Sequence, residues 1–338
     1  MAPLDNEHII QRVSGFIMTA IFAQDLTKRY GDLLAVDRLN LSIDNEIYGL
    51  LGPNGSGKTT TVSMLATLLA PTAGTAAVCG HDVMQEKQAV RDAISYVPQH
   101  MAVDIRLTGR ENVDMFASLY GIRDRAERKQ RVDDALAMMN LTERADDQVR
   151  TYSGGMYRRC ELAQALVHDP QVMILDEPTV GLDVSSRRSV WEHIVRLKRA
   201  GMTILVTTHQ MDEAERYCTR VGIFKKGVLT DEGAPQALTA QYRTVVVIRT
   251  EDGAPSRVPD GAQFVQCENG EAIFTADDGA AVLPQILAAY ATEGKRVFSS
   301  LVRQPTLEDV YLMTIGPVST DDGAFDRNNF RHVMNRSR

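Results

Sequence analysis

From Met18 to about Ala237, short apolar runs alternate with stretches whose apolar residues recur at helical spacing. "IYGLLG" (Ile47 to Gly52) reads as a strand entering a Gly-rich turn. "KTTTVSMLATLLA" (Lys58 to Ala70) is then a helix, closed by "PTAG". "VMILDEP" and "TILVTTH" are two more short, almost wholly apolar strands, of the kind expected in a sheet covered on both faces. This alternation predicts α/β architecture.

Between "YVPQ" (Tyr96 to Gln99) and "TYSGG" the pattern holds no convincing strand. Thr108 is placed to cap a helix, and Glu111, three residues on, can close a capping box. "DRAERKQRVDDALAMMN" continues in helix-forming residues, so a helical subdomain at about 100–152 is expected inside the α/β core. After Ala237 the style changes. "TVVVIRT", "AQFVQCE" and "EAIFTAD" read as short strands between polar turns. A helix, "AAVLPQILAAYATEG", a strand, "RVFSSLVR", and a last helix capped by Thr306 follow. Four parts are expected: an extension at 1–17, a core at 18–237, a small α+β domain at 241–316 and a polar, flexible tail at 317–338.

Composition narrows the classes. A chain of 338 residues suits two domains, and 44% apolar residues can fill their cores. The net charge of −7 argues against a dedicated nucleic-acid binder. The basic cluster at Arg123 to Arg131 is interleaved with acidic residues and reads as a solvated helix face. Cys79, Cys160, Cys218 and Cys267 are scattered, which favours reduced thiols over a zinc site or a disulfide framework. No apolar stretch is long enough to span a bilayer, and the N-terminus lacks the pattern of a signal peptide. The chain is therefore expected in the cytoplasm, reaching a membrane only through a partner.

"GPNGSGKT" (Gly52 to Thr59) fits G-x-x-x-x-G-K-[ST] between a strand and a helix. Gly52, Gly55 and Gly57 let backbone N–H groups curl around phosphate oxygens, with Asn54 and Ser56 between them. Lys58 supplies a point charge to the β- and γ-phosphates, Thr59 can hold Mg²⁺, and Thr60 lies in the same helix N-terminus. Asp176 and Glu177 end the strand "VMILDEP" where ligands of open α/β sheets sit. Asp176 can reach Mg²⁺ through water, and Glu177 can orient the attacking water. His209 ends a parallel run in the same way, a candidate γ-phosphate contact. Ser153, Gly154 and Gly155 open a further helix and offer a second phosphate-binding element. With one lysine loop per chain, that element is best used in trans, over a nucleotide held by a second copy.

In order, "GPNGSGKT", "YVPQ", "YSGGM", "VMILDEP", "GLD" and "TTH" resemble the ATP-binding subunit of ABC transporters over about Met18 to Ala237. The resemblance implies a P-loop NTPase core with an inserted helical subdomain, and a head-to-tail dimer holding two ATP molecules with Mg²⁺. It also implies that Tyr30 stacks on adenine, that Gln99 links the γ-phosphate and Mg²⁺ to the membrane-contacting region, and that Asp183 crosses the dimer interface. "YSGGMYRR" and the ending "PTLEDVYL" are most similar to the daunorubicin-type antibiotic exporters. In those, ATPase and integral membrane permease chains assemble two plus two, and the small C-terminal domain serves assembly. Export of a drug-like or amphipathic compound is thus expected. Lipid or polysaccharide export, or a soluble non-transport ATPase, is the alternative. The chain departs from the family pattern at Asn45, where Gly is usual, at Met156, at Tyr157, where a basic residue is usual, and at Val184, where Pro is common.

Overall fold

The computed structural model describes residues 19–99 and 102–315. The expected extension at 1–17 and the tail at 317–338 lie outside them. The chain divides into two units, one up to Leu238 and one from Thr239.

The first unit is built on a six-stranded sheet. Strands β3 (Ile47–Leu51), β7 (Val172–Asp176) and β8 (Thr203–Thr208) are buried along their whole length. They take central places in the order β10-β9-β3-β8-β7-β6, with β6 at Ile94–Val97, β9 at Arg220–Lys225 and β10 at Val228–Gly233. All pairs from β9 to β6 are parallel, and β10 turns back antiparallel onto β9. A second sheet, β2-β1-β4-β5, is antiparallel, with β1 at Ile21–Tyr30, β2 at Leu33–Ile43, β4 at Ala73–Val78 and β5 at His81–Asp82. One core joins the sheets: Ile21, Leu26, Val36 and Ile43 pack with Tyr48, Leu50, Leu205 and Phe224. Burial on both faces explains the mostly apolar runs of β3, β7 and β8.

Helix α1 (Lys58–Leu65) follows β3 and is shorter than the expected run to Ala70. Thr67 adopts a left-handed φ of 61° and accepts a 2.8 Å hydrogen bond from Arg91 Nε. The N–H groups of both Leu68 and Leu69 then return to the Ser63 carbonyl, which ends the helix. Helix α2 (Lys87–Ala93) leads into β6. The inserted helices are α3 (Gly109–Leu119), α4 (Arg125–Met138) and α5 (Gly154–Leu166). The basic stretch lies on α4, paired with acidic neighbours: Arg128 with Asp114 at 2.9 Å and Lys129 with Asp133 at 2.8 Å. Helices α6 (Val184–Arg199), α7 (Met211–Tyr217) and the short α8 (Pro235–Thr239) complete the series to the end of this unit. Asn45 sits at φ 41°, in the left-handed turn before β3 that its side chain tolerates.

The second unit is an antiparallel sheet, β12-β13-β11-β14, made of Ala262–Glu268, Glu271–Ala276, Thr244–Thr250 and Val297–Arg303. Helix α9 (Gly279–Thr292) covers one face, and Val282, Ile286 and Tyr290 close over Val246, Ile248 and Phe274. Helix α10 (Leu307–Ile315) starts at Thr306, whose hydroxyl accepts from the Asp309 N–H.

At α3 the Thr108 hydroxyl accepts from Glu111 N–H at 3.1 Å, and the Glu111 carboxylate accepts from Thr108 N–H at 2.7 Å. Thr108→Ala is expected to cost about 1 kcal/mol of stability. Equilibrium urea unfolding of the full chain checks this; an unchanged midpoint would mean that solvent replaces the cap without loss.

Candidate functional site

The register of the central sheet aligns the ends of four parallel strands. Leu51 pairs with Thr208, Asp176 with Thr207, and Val97 with Leu175. Gly52, His209, Glu177 and, two residues past its strand, Gln99 therefore leave the sheet along one edge. This is the carboxyl edge, where open α/β sheets bind ligands.

The loop from Gly52 to Gly57 is shaped by close backbone approach. At Gly57, with φ 111°, a Cβ would stand 2.3 Å from the Ala35 carbonyl oxygen, so no other residue fits. At Gly52 a Cβ would meet the Phe224 carbonyl oxygen at 2.5 Å. Asn54, Gly55 and Thr59 are exposed, Thr60 is half-buried, and the buried Ser56 hydroxyl has no partner among the described residues. Lys58 opens α1 and donates to the carbonyls of Gly52 at 2.7 Å and Pro53 at 3.1 Å. Burial pushes its ammonium below the usual lysine range, against the pull of Glu177 and Asp176. A glycine-rich loop, a helix N-terminus, a lysine and an unpartnered hydroxyl together suit the phosphates of a nucleotide.

Both carboxylates are buried, Asp176 at 2% and Glu177 at 6% exposure. The Thr207 hydroxyl donates to Asp176. Burial, and next the charge of Asp176, push the Tyr96 hydroxyl up to about 12. Glu177 takes a left-handed φ of 50°, rare for a residue with a side chain. Its N–H donates to the Thr207 carbonyl and hydroxyl, each at 3.1 Å. Its Oε2 lies 2.9 Å from Nδ1 of His209. Contact with this carboxylate raises the His209 imidazole above its ordinary value, and burial opposes it.

The other sequence candidates lie on separate elements. Gln99 is exposed beyond β6, and Tyr30 is 47% exposed where β1 turns into β2, with Lys28 Nζ 5.2 Å from its ring centre. Asp183 caps α6, accepting from the Ser186 N–H at 3.0 Å and hydroxyl at 2.6 Å, which hold its carboxyl below the usual range. Ser153 caps α5 by accepting from Met156 N–H, and Gly155 leaves room for Ser186, whose Oγ would be 2.7 Å from a Cβ. Tyr157, a departure in the sequence, donates to the Val103 carbonyl at 2.9 Å, and Val184 is 62% exposed. Three residues of the site were not singled out by sequence reasoning: Thr207, Tyr96 and Arg158. All three stand inside quoted runs, but only the fold shows whom they meet. Arg158 reaches segments far away in sequence.

A strand, a phosphate loop with its lysine, and acidic and histidine groups on the neighbouring strand ends define a P-loop nucleotide hydrolase. The pattern of the ABC transporter family matches residues 36–180. The chain is 37% identical over 305 residues to a daunorubicin resistance ATP-binding protein of Streptomyces coeruleorubidus, covering 88% of this chain and 96% of that one. It is 40% identical over 298 residues to Nod factor export ATP-binding protein I of Burkholderia orbicola, covering 87% and 96%. Among solved structures, cbiO1 of Clostridium perfringens, part of an ABC transporter complex, aligns with a TM-score of 0.62 at 27% identity, over 67% of this chain and 92% of that one. A dimeric ATP-binding cassette in a post-hydrolysis state with ADP and Pi aligns at 0.57 and 27% identity, over 63% and 98%. The chain belongs to the ABC transporter ATP-binding family. It is an ABC ATPase of the exporter type, which binds and hydrolyses ATP to power export.

The His209–Glu177 contact fixes a sign. The imidazole is raised in the folded chain, so the contact contributes fully below the ordinary imidazole pKa and fades as pH rises through the folded value. NMR titration of the seven histidines, with His209 assigned by its loss in His209→Asn, should show it above the ordinary value. In Glu177→Gln it should fall; an unmoved titration would remove Glu177 as the cause.

Proposed function

We propose that this chain drives efflux of a drug-like or amphipathic compound through a separate integral membrane subunit. The observation that carries the reading is the extent of the likeness. It runs over 305 residues and 96% of a daunorubicin resistance relative, well beyond residues 36–180 that the family pattern matches. Among the described residues no helix is long and apolar enough to cross a membrane. The path through the bilayer then belongs to permease subunits, with this chain on the cytoplasmic face and an assembly of two plus two.

In the proposed mechanism Gly52, Asn54, Gly55, Ser56, Gly57 and Thr60 cradle the phosphates with backbone and hydroxyl donors, and Lys58 turns its ammonium from loop carbonyls to the β- and γ-phosphates. Thr59, Gln99 and Asp176 are the residues that would hold Mg²⁺, which neutralises charge between those phosphates when bound. Glu177 orients the attacking water and accepts its proton, and His209 meets the γ-phosphate while paired with Glu177. Tyr30, half-exposed at its turn, stacks on adenine. Ser153, Gly154 and Gly155 close over the γ-phosphate held by a second copy, and Asp183 lies at that interface. Both sites of such a homodimer carry every group.

A second reading, lipid or polysaccharide export, stands beside it because the relatives do not share one cargo: the protein named for Nod factor export is as similar as the one named for daunorubicin resistance. The cargo decides between them. Deleting the gene should sensitise cells to amphipathic drugs; unchanged sensitivity with loss of a surface lipid or polysaccharide would favour the second.

Glu177→Gln should bind ATP, dimerise on size exclusion and hydrolyse about a hundredfold or more slowly, as expected when a general base is removed. Hydrolysis at the parent rate would remove Glu177 from the mechanism. Lys58→Ala should lose activity through weakened nucleotide contacts, read by ATP titration. Tagged chain extracted gently from native membranes should carry a stoichiometric subunit rich in apolar spans. Recovery with ribosomes or DNA instead would overturn export.

A further inference from the structure

We propose that Arg158 and Glu161 form a buried positioning pair that ties the Ser153–Gly155 turn to the Gln99 segment and to the backbone of Glu177. It rests on the reading above that Glu177 is the catalytic carboxylate.

Arg158 lies just over one turn into α5, downstream of Ser153, and is 5% exposed; Glu161, one turn further, is 3% exposed. The guanidinium spends its donors on three parts of the chain. Nε donates to the Pro178 carbonyl at 2.8 Å, and Nη1 to the Pro98 carbonyl at 3.1 Å and to Glu161 Oε2 at 2.6 Å. Nη2 faces the carbonyls of Asp176 and Glu177, each at 3.4 Å. The other carboxylate oxygen of Glu161 accepts from Ala102 N–H at 2.8 Å. Gln99 is thus flanked by Pro98 and Ala102, both held by this pair.

A buried ion pair is weak evidence of a stabilising role, because well-packed apolar residues often serve stability as well. What apolar residues cannot do is bond the carbonyls of the two carboxylate-bearing residues. Glu177 needs such support. Its left-handed φ of 50° is strained, and Thr207 holds only its N–H side. Arg158 stands on the carbonyl side. Remove the planar fork, and the turn is free to relax and to carry the Glu177 carboxylate off His209.

Arg158→Lys keeps the charge but lacks the fork that spans several acceptors. In the full chain it should fold, bind ATP with KM within about twofold of the parent, and lose about tenfold or more in kcat, since small misplacements of a catalytic group are costly. The His209 titration should drop toward the ordinary imidazole value, which a merely structural role would not move. A kcat within about twofold of the parent, or a fall in kcat with the His209 titration unmoved, overturns the proposal. Should Arg158→Lys fail to fold, Glu161→Gln, which keeps shape and acceptor but not charge, decides by the same two readings. Glu177→Gln measured alongside separates the failures: parental hydrolysis there sinks the catalytic reading, whereas the His209 titration still tests the tie.

Discussion

Two neighbouring carboxylates at the buried end of a strand are the constraint around which the first unit is arranged. Asp176 and Glu177 are almost wholly out of water, and bringing a charged group there is unfavourable unless it is paired or hydrogen-bonded. The surroundings answer each charge separately. Asp176 receives the Thr207 hydroxyl, and Glu177 meets His209. Lys58 supplies the nearby ammonium, which burial weakens and both carboxylates strengthen. These partners come from β8, the residue after it and the start of α1, so the parallel register of β3, β8 and β7 is a condition of this grouping.

Much of this was legible because it is local. Lys58 stands inside an eight-residue motif whose glycines have a backbone reason, and β7 and β8 read as strands because burial on both faces makes them mostly apolar. Asp176, Glu177 and His209 follow those runs directly. The antiparallel sheet is different. β2, "LLAVDRLNLSI", mixes buried and exposed positions with charged residues and went unread. The expected helix to Ala70 overran because its apolar residues continue past Thr67, while the left-handed turn there depends on Arg91, far along the chain.

The same division runs through the site. The loop, the strand ends and the Ser153 cap are visible in short motifs. The role of Arg158, which stands inside "YSGGMYRR", is not, because its acceptors are the carbonyls of residues 98 and 176–178 and no spacing announces them. Tyr157 shows the limit from the other side. Its departure from the usual basic residue was evident, yet only the structure shows its hydroxyl reaching the Val103 carbonyl, a contact that fastens α5 to the start of the helical insertion.

The backbone at Glu177 joins these points. Successive side chains on a strand point to opposite faces of the sheet, so a Glu continuing β7 after Asp176 would turn away from it. The left-handed conformation takes Glu177 out of that alternation just past the strand's last residue and brings its carboxylate to His209. Glycine would adopt the same backbone without strain but would carry no carboxylate. The strain is therefore a consequence of needing two acids in adjacent positions to serve one edge of the sheet. It persists because Thr207 holds the turn by its N–H while Arg158 stands at its carbonyl. A sequence can name the two acids; the turn that makes them cooperate is set by residues 19 positions upstream and 30 positions downstream of Glu177.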